Sequence, residues 1–560
     1  MSDMENIMMY KTMAQTSTSS TLPTIQPSAR SSAPVSTLLS SNVKAIKGNQ
    51  HQRMRISRLL GSSAWLMSLL LVGCSLAPHY DKPQVATPSA FKETGVQATD
   101  GAATITATDA LGTWQVAQPS DQIPRGEWWR IFDDATLDGL EQQALAANQS
   151  LKAAMARVNE SRAIQQTARA GLFPSVDAGF GPTREKVSGA SQLQPDGTNI
   201  PSQTLWRAQG TASYEADLFG RVSDQVRAAG AETQQSEALL RSVQLSLQAD
   251  VAQNYFNLRQ YDGQLDVYNR TVALREHALK LVQHRFDDGD ISELDVARAQ
   301  SELASAQSDS MGVERLRAAS EHSLAVLLGK APATFSMAAN PLQPVQIVIP
   351  PGLPSSLLER RPDIAAAERA MAAANARIGV AKAAYFPSLS LTGAAGVESA
   401  TLGDLFKWSS RAFLLGPLVG TALTVPIFDG GRRAGNLANA RAVYQEDAAN
   451  YQQQVLVAFR EVEDNLSDLR ILRAQTQAQA RAVSASNRAA DLSLRQYKEG
   501  ALTYLDVIDA QRTVLQAQRT AVELTGVQAV ATVNLIRALG GGWGNTPAVS
   551  DVKDVLASTR

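Results

Sequence analysis

Two hydrophobic periods alternate along this chain. From Leu137 apolar residues recur at helical spacing through Leu140, Leu145, Leu151, Met155 and Val158, which predicts one helix to about Leu172, stopped before Pro174. From 174 to 219 the period drops to two. Between Leu205 and Phe219 the residues Trp206, Ala208, Gly210, Ala212, Tyr214, Ala216 and Leu218 share one face, and Arg207, Gln209, Thr211, Ser213, Glu215 and Asp217 share the other. That alternation predicts a strand between lipid and water, and Val176, Ala178 and Phe180 predict its partner. A second pair is expected at Leu389–Val397 and Val419–Ile427. Proline is absent between Pro201 and Pro332 and between Pro426 and Pro547. Each gap has room for two long helices, one of about 60 residues and so about 90 Å long. In the first gap Leu258, Leu265, Val272, Leu279 and Phe286 recur every seven residues with Tyr261, Tyr268 and Val282 three later, broken by Arg275. This is a coiled-coil seam. Its counterpart, Leu469, Thr476, Val483, Ala490 and Tyr497 with Leu472, Gln479, Ser486 and Ser493, is smaller and more polar.

The two gaps contain the same turn. YKEGALTYLDVIDAQ from Tyr497 repeats FDDGDISELDVARAQ from Phe286. Phe286 matches Tyr497, Gly289 matches Gly500, Ser292 matches Thr503, Leu294 matches Leu505 and Asp295 matches Asp506, all at 497 − 286 = 211. A glycine in the left-handed region ends one helix and Thr503 caps the next, so each stretch predicts a helical-hairpin tip. The offset recurs between Asp250 and Glu461 and between Leu328 and Leu539. It is too long for a solenoid unit, so the expected fold is two copies of a half-domain, residues 121–331 and 357–540, joined by a linker at 332–356 and followed by a tail at 541–560.

Composition narrows the class. Lys+Arg 52 against Asp+Glu 53 gives a net charge of −1, no electrostatic basis for nucleic acid. The single cysteine, Cys74, permits no disulfide within the chain. His51, His79, His277, His284 and His322 lack metal-ligand spacing and no phosphate-binding loop occurs, so neither an enzyme nor a cofactor is expected. Residues 1–53 are expected to be disordered or a mis-assigned extension. Met54–Gly73 combines arginines with an apolar run shorter than the ~20 residues of a spanning helix, as a signal peptide does. Residues 74–120, rich in proline and threonine, predict an extended tether. Four strands are also too few to close a membrane barrel, which needs about eight. Open edges in lipid leave backbone groups unpaired, so a spanning sheet requires oligomerisation.

The stretches LVGC at Leu71, EWWRIFDD at Glu127, LLERRPDIAAAE at Leu357, IGVAKAAYFPSLSLTGAAG at Ile378, PIFDGGRR at Pro426 and YKEGALTYLDVIDAQR at Tyr497 resemble the NodT-like, TolC-like outer-membrane factors of tripartite efflux systems. The resemblance implies an α+β membrane protein: a homotrimer with one shared β-barrel of four strands per protomer and a helical coiled-coil tunnel. It implies lipidation at Cys74, anchoring in outer-membrane lipid, and work with a periplasmic membrane-fusion adaptor and an inner-membrane RND-type pump to export small molecules. The second-copy tip would form the aperture, with Asp506, Asp509, Leu502 and Leu505 as gating residues and a cation block at the two aspartates. The tips at Phe286, Gly289, Asp295, Tyr497 and Gly500 would meet the adaptor. Leu502 departs from relatives that carry arginine there, so closure by an apolar ring stays open. So does a plainer role for the aspartates as solvated helix-start acids. The alternatives are a protein-secretion duct and a non-conducting coiled-coil lipoprotein. Trp128 and Trp129 fit core packing better than a membrane belt.

Overall fold

The computed structural model describes residues 75–83, 85–93, 127–186, 199–343, 356–415 and 423–541, with 188, 195 and 354 besides. The expected extension 1–53, signal segment 54–73, Cys74, most of the tether beyond 93, and the tail from 542 lie outside the described residues.

In place of one helix from Leu137 to Leu172 there are two, α1 (Ala135–Ala147) and α2 (Gln149–Ala170). Asn148 between them is extended at ψ 130, and its side chain accepts the Leu151 amide. An asparagine with the N-cap geometry thus starts a new helix inside an unbroken apolar period. Strands β1 (Ser175–Glu185) and β2 (Gln203–Ala216) follow. β2 stops before the expected Phe219, because the Asp217 carboxylate turns back to accept the amides of Val222 and Ser223. The long helices are α3 (Arg221–Asp287) and α4 (Glu293–Leu327), of 67 and 35 residues. The second half holds α5 (Ser356–Arg360), α6 (Pro362–Ala383), β3 (Ser388–Ser399), β4 (Arg411–Leu415), β5 (Leu423–Thr424), α7 (Arg432–Lys498) and α8 (Tyr504–Ala538). Helices α7 and α8 also have 67 and 35 residues. Their bounds follow those of α3 and α4 at 432 − 221 = 211 and 538 − 327 = 211. A 67-residue helix is about 100 Å long, longer than the 90 Å expected. Of the strand expected at Val419–Ile427, residues 419–422 lie outside the described residues, Leu423 and Thr424 are strand, and 425–427 are not.

Helix α3 packs against α2 and α4 on one side and α6 and α8 on the other, and α7 packs against α6 and α8. The helices therefore form a layer four columns wide: α2 continued by α4, α3, α6 continued by α8, and α7. Both broken columns are joined by a side chain that donates to the last carbonyls of the incoming helix. Asn148 Nδ2 donates to Leu327 O at 2.9 Å, and Arg361 Nη1 to Ala538 O at 3.0 Å. Arg361 and Asp363 are the charged pair of the RRPDI stretch. Arg361 is buried, holding Asp363 at 2.6 Å and Glu461 at 2.7 Å. The largest core cluster sits at these joints and includes Trp129, Tyr255, Phe256, Leu324, Leu328, Leu357 and Val533. Trp128, which donates to Gln248 at 3.0 Å, belongs to it as well.

The sheet is antiparallel in the order β1-β2-β3-β4, with β5 also on β3. Ala216 pairs with Leu389 and Trp206 with Ser399 across the middle. Pro182, which cannot donate to a ladder, lies in β1, an edge strand.

Residues 75–93 are docked, unlike a free tether. Ser75 Oγ donates to Asp224 at 2.8 Å, Asn375 Nδ2 donates to Pro78 O at 3.0 Å, and Tyr80 bonds Glu368. Phe91 is buried in the main core, and Glu93 pairs with Arg470 at 2.8 Å. The strap thus crosses from α3 over α6 to α7. The described start of the inter-half linker is likewise pinned, as Arg259 and Arg317 take the carbonyls of Ala338 and Met337.

Candidate functional site

Both hairpin tips close with the same backbone bonds. After α3 the amide of Asp290 reaches Arg285 O at 2.8 Å and that of Gly289 reaches Phe286 O at 2.9 Å. After α7 Ala501 reaches Gln496 O at 2.8 Å and Gly500 reaches Tyr497 O at 3.0 Å. These crossed bonds need a left-handed residue, and Gly289 (φ 80) and Gly500 (φ 79) supply it. At the second tip Thr503 is the N-cap of α8, and Asp506 closes a capping box. Asp506 accepts the Thr503 amide at 3.0 Å and its hydroxyl at 2.6 Å. The Thr503 hydroxyl, then its amide, hold the Asp506 carboxyl below the usual carboxylate range.

The two tips pack on each other within one chain. Val282, Val296 and Ala299 of the first hairpin share a cluster with Tyr497, Tyr504, Val507 and Ile508 of the second. Burial first, and Tyr497 second, push the Tyr504 hydroxyl up to about 12. Arg285 lies over the Tyr497 ring at 5.1 Å. Behind this cluster is an ion node. Arg275, the residue that breaks the first seam, pairs with Glu302 at 3.0 Å, their side chains only 7% and 11% exposed. Arg512 of α8 reaches the same carboxylate, with Nε at 3.0 Å. Arg512 also pairs with Asp509 at 3.6 Å.

The expected site residues therefore divide. Leu505, Asp506 and Asp509 are exposed on α8, and Leu502 is half-buried at the turn. Asp509 has an arginine partner at i+3, as Asp295 has Arg298 at 3.4 Å. Phe286 is exposed whereas its counterpart Tyr497 is buried. Sequence reading missed Glu302 and Arg512. The only available signal was Arg275, a charge at a seam position that requires a partner when buried.

The sheet has two chemically distinct faces. On one, Phe180 stacks with Trp206 at 6.0 Å. On the other, Arg207 bridges three strands, to Glu185 at 2.9 Å and Glu398 at 3.1 Å. Among the described residues no helix is long and apolar enough to cross a membrane, and no group of three or more His, Cys, Asp or Glu could hold a metal ion.

A long helical layer continued by a two-faced sheet is the architecture this chain shares with solved outer-membrane channels. The profile of the outer membrane efflux protein family matches residues 140–330 and 353–541, and the chain belongs to that family. It is 35% identical over 480 residues to the probable efflux pump outer membrane protein SepC of Pseudomonas putida, across 86% of this chain and 96% of that one. It is 33% identical over 488 residues to the outer membrane protein OprJ of Pseudomonas aeruginosa, with the same coverage of 86% and 96%. Among solved structures, the open state of the Neisseria gonorrhoeae MtrE outer membrane channel matches with a TM-score of 0.69 at 30% identity, covering 84% of this chain and 98% of that one. The protein is thus the outer-membrane channel component of an efflux system.

Proposed function

We propose that three copies of this chain build one duct, which exports small molecules from an inner-membrane RND-type pump and its periplasmic adaptor to the exterior. The observation that carries the trimer is the sheet. β1 and β4–β5 each have one neighbour among the described strands, so both edges stand open, and an open edge in lipid costs several kcal/mol per unpaired group. Three four-stranded sheets make a 12-stranded barrel, within the known range for membrane barrels. The helical layers, each half-domain contributing one hairpin, close into the tunnel below. The face of Phe180 and Trp206 meets lipid, and that of Arg207 lines the water path. The relatives above are efflux channels, which favours small-molecule cargo over a protein-secretion duct. Ser75, next in sequence to the proposed lipid site, bonds Asp224 near the sheet end of α3.

The second tips form the inner aperture. Under threefold symmetry Asp506 and Asp509 become two rings of three carboxylates. Such rings attract cations, and Leu502 and Leu505 narrow the same opening. Planar-bilayer recording tests this. Wild type should conduct poorly, and multivalent cations on the tip side should block the residual current. Low pH should weaken the block as the ring carboxylates protonate, with the Thr503 bonds opposing that protonation at Asp506. Replacing both aspartates with alanine should raise conductance and abolish the block. A double variant as closed and as cation-sensitive as wild type would place the aperture elsewhere.

A further inference from the structure

The sheet face of Phe180 and Trp206 is charged at one end only, and with one sign. The register puts Arg184 of β1 and Arg411 of β4 on that face. Every other residue of the face in β1, β2 and β3 is uncharged. The acids of these strands, Asp177, Glu185, Glu215 and Glu398, alternate onto the opposite face, where Arg207 holds Glu185 and Glu398 and Arg221 holds Glu215. Both arginines lie toward the end of the sheet remote from the helices. Arg411 is level with Val397 and, through it, with Ala208. From Ala216 at the helix end that is about 27 Å of strand. At a tilt of about 40° it is about 20 Å up an apolar band about 25 Å tall, near its farther interface.

Among the described residues no carboxylate pairs with Arg411, whose guanidinium lies over the Trp408 ring. Asp404, the acid of the connection between β3 and β4, is taken up by Lys407 at 2.5 Å and by the Thr401 hydroxyl at 2.9 Å. Arg184 donates only to Ser202 Oγ, at 3.4 Å. A cation on the lipid side of a barrel is destabilising unless it reaches the interface or an anion. Beside Arg411 the sheet has a depression of about 380 Å³, floored by Ala208, Ala395 and Val397 and walled by Phe406. Phe406 and Trp408 are 81% and 78% exposed, so this end presents large aromatic surface to its surroundings.

We infer that this end of the sheet holds an anionic, phosphate-bearing lipid of the outer leaflet, with an acyl chain in the depression and the phosphate on Arg411. The inference rests on the lipid-facing sheet proposed above and adds a ligand to it. An apolar floor and an unpaired guanidinium lie side by side, and a lipid phosphate with its acyl chains presents the same two chemistries at the same spacing. A guanidinium offers phosphate two parallel N–H donors and keeps its plane when stacked on an aromatic ring. Free phosphate would use the arginine and leave the depression empty.

Native mass measurement of the detergent-purified protein with diphosphoryl lipid A tests the site. Wild type should bind it, and Arg411→Gln should need about tenfold more lipid for the same occupancy. Ala208→Leu, which fills the depression and leaves the arginine, should also weaken binding. Lipid A stripped of its phosphates should bind wild type no better than intact lipid A binds Arg411→Gln. Equal affinity of wild type and Arg411→Gln would overturn the site. Displacement of the lipid by inorganic phosphate would assign the arginine to a free anion and overturn the lipid. A fluorophore on Ala178→Cys in vesicles of brominated lipid reports the face separately, with the unsubstituted protein setting the background from Cys74. Quenching there without lipid A binding would overturn the site and leave the lipid-facing sheet standing. Absence of quenching would overturn both.

Discussion

The two helical hairpins have one backbone and two chemistries. Both are built from 67- and 35-residue helices with a left-handed glycine at the turn. The first is zipped by large buried side chains, Leu258, Tyr268 and Val282, and by the buried Arg275–Glu302 pair. In the second the matching positions are Leu469, Gln479 and Ser493, with Ser486 at the place of Arg275. Between 470 and 493 every seam position of α7 is at least half-buried, yet its residues are leucine, threonine, glutamine, valine, serine and alanine. Burying a large apolar side chain is worth roughly 1.5–3 kcal/mol, so the second hairpin is less firmly zipped. Turn and cap chemistry fix the trace, and seam chemistry fixes how much work it takes to part the helices. The weaker hairpin carries the proposed aperture and leans on the stronger one through Tyr497, Tyr504 and Arg512.

The largest effect should come from breaking the ion node. Glu302→Ala strands Arg275 in a buried site, which costs about 3–5 kcal/mol, and it leaves Arg512 paired with Asp509 alone. The denaturation midpoint of α-helical signal in detergent should fall sharply. Arg275→Ser with Glu302→Thr, copying Ser486 and Thr513 of the second hairpin, should recover most of that loss. A midpoint as low as that of Glu302→Ala would mean the node is more than an ion pair. Next come the turn glycines. Gly289→Ala and Gly500→Ala force a Cβ into the left-handed region, about 1–2 kcal/mol each. Both should lower the midpoint equally, because their geometry is the same. Unequal losses would show that the two tips differ in backbone as well as in seam.

The smallest effect concerns the column joints. Asn148 is neutral, whereas Arg361 works with Asp363. Burial alone would raise the Asp363 carboxyl, but Arg361, Gln454 and the Ile364 amide outweigh it and hold it below its ordinary value. Its stabilisation is therefore complete above the unfolded value of about 3.9 and is lost as pH falls through the lower folded value. Hydrogen exchange in acid should open the start of α6 before that of α2, and Asp363→Asn should remove the pH dependence of this difference.

Much of this was legible in the sequence because it is periodic. Of the heptad positions from Leu469 to Tyr497 none is exposed, and the glycines at 289 and 500 carry the positive φ their turns require. Illegible features lacked a period or needed a distant partner. Asn148 interrupts no apolar spacing, so the break between α1 and α2 was hidden. Arg275 stood out, but Glu302 lies across the hairpin and Arg512 in the other half. The strap has no repeat of its own, and its residues acquire meaning only from α3, α6 and α7.

That strap sets an order of events. Its bonds reach far along the chain: Ser75 to Asp224 spans 149 positions, Tyr80 to Glu368 spans 288, and Glu93 to Arg470 spans 377. A polypeptide delivered from its N-terminal end presents residues 75–93 before α3, α6 and α7. The strap must then wait, extended and unpartnered, until most of the helical layer has arrived. Contacts of such separation form late because their loop-closure entropy has to be overcome by structure already in place. The strap thus precedes every helix it binds and is among the last parts of the layer to be fastened.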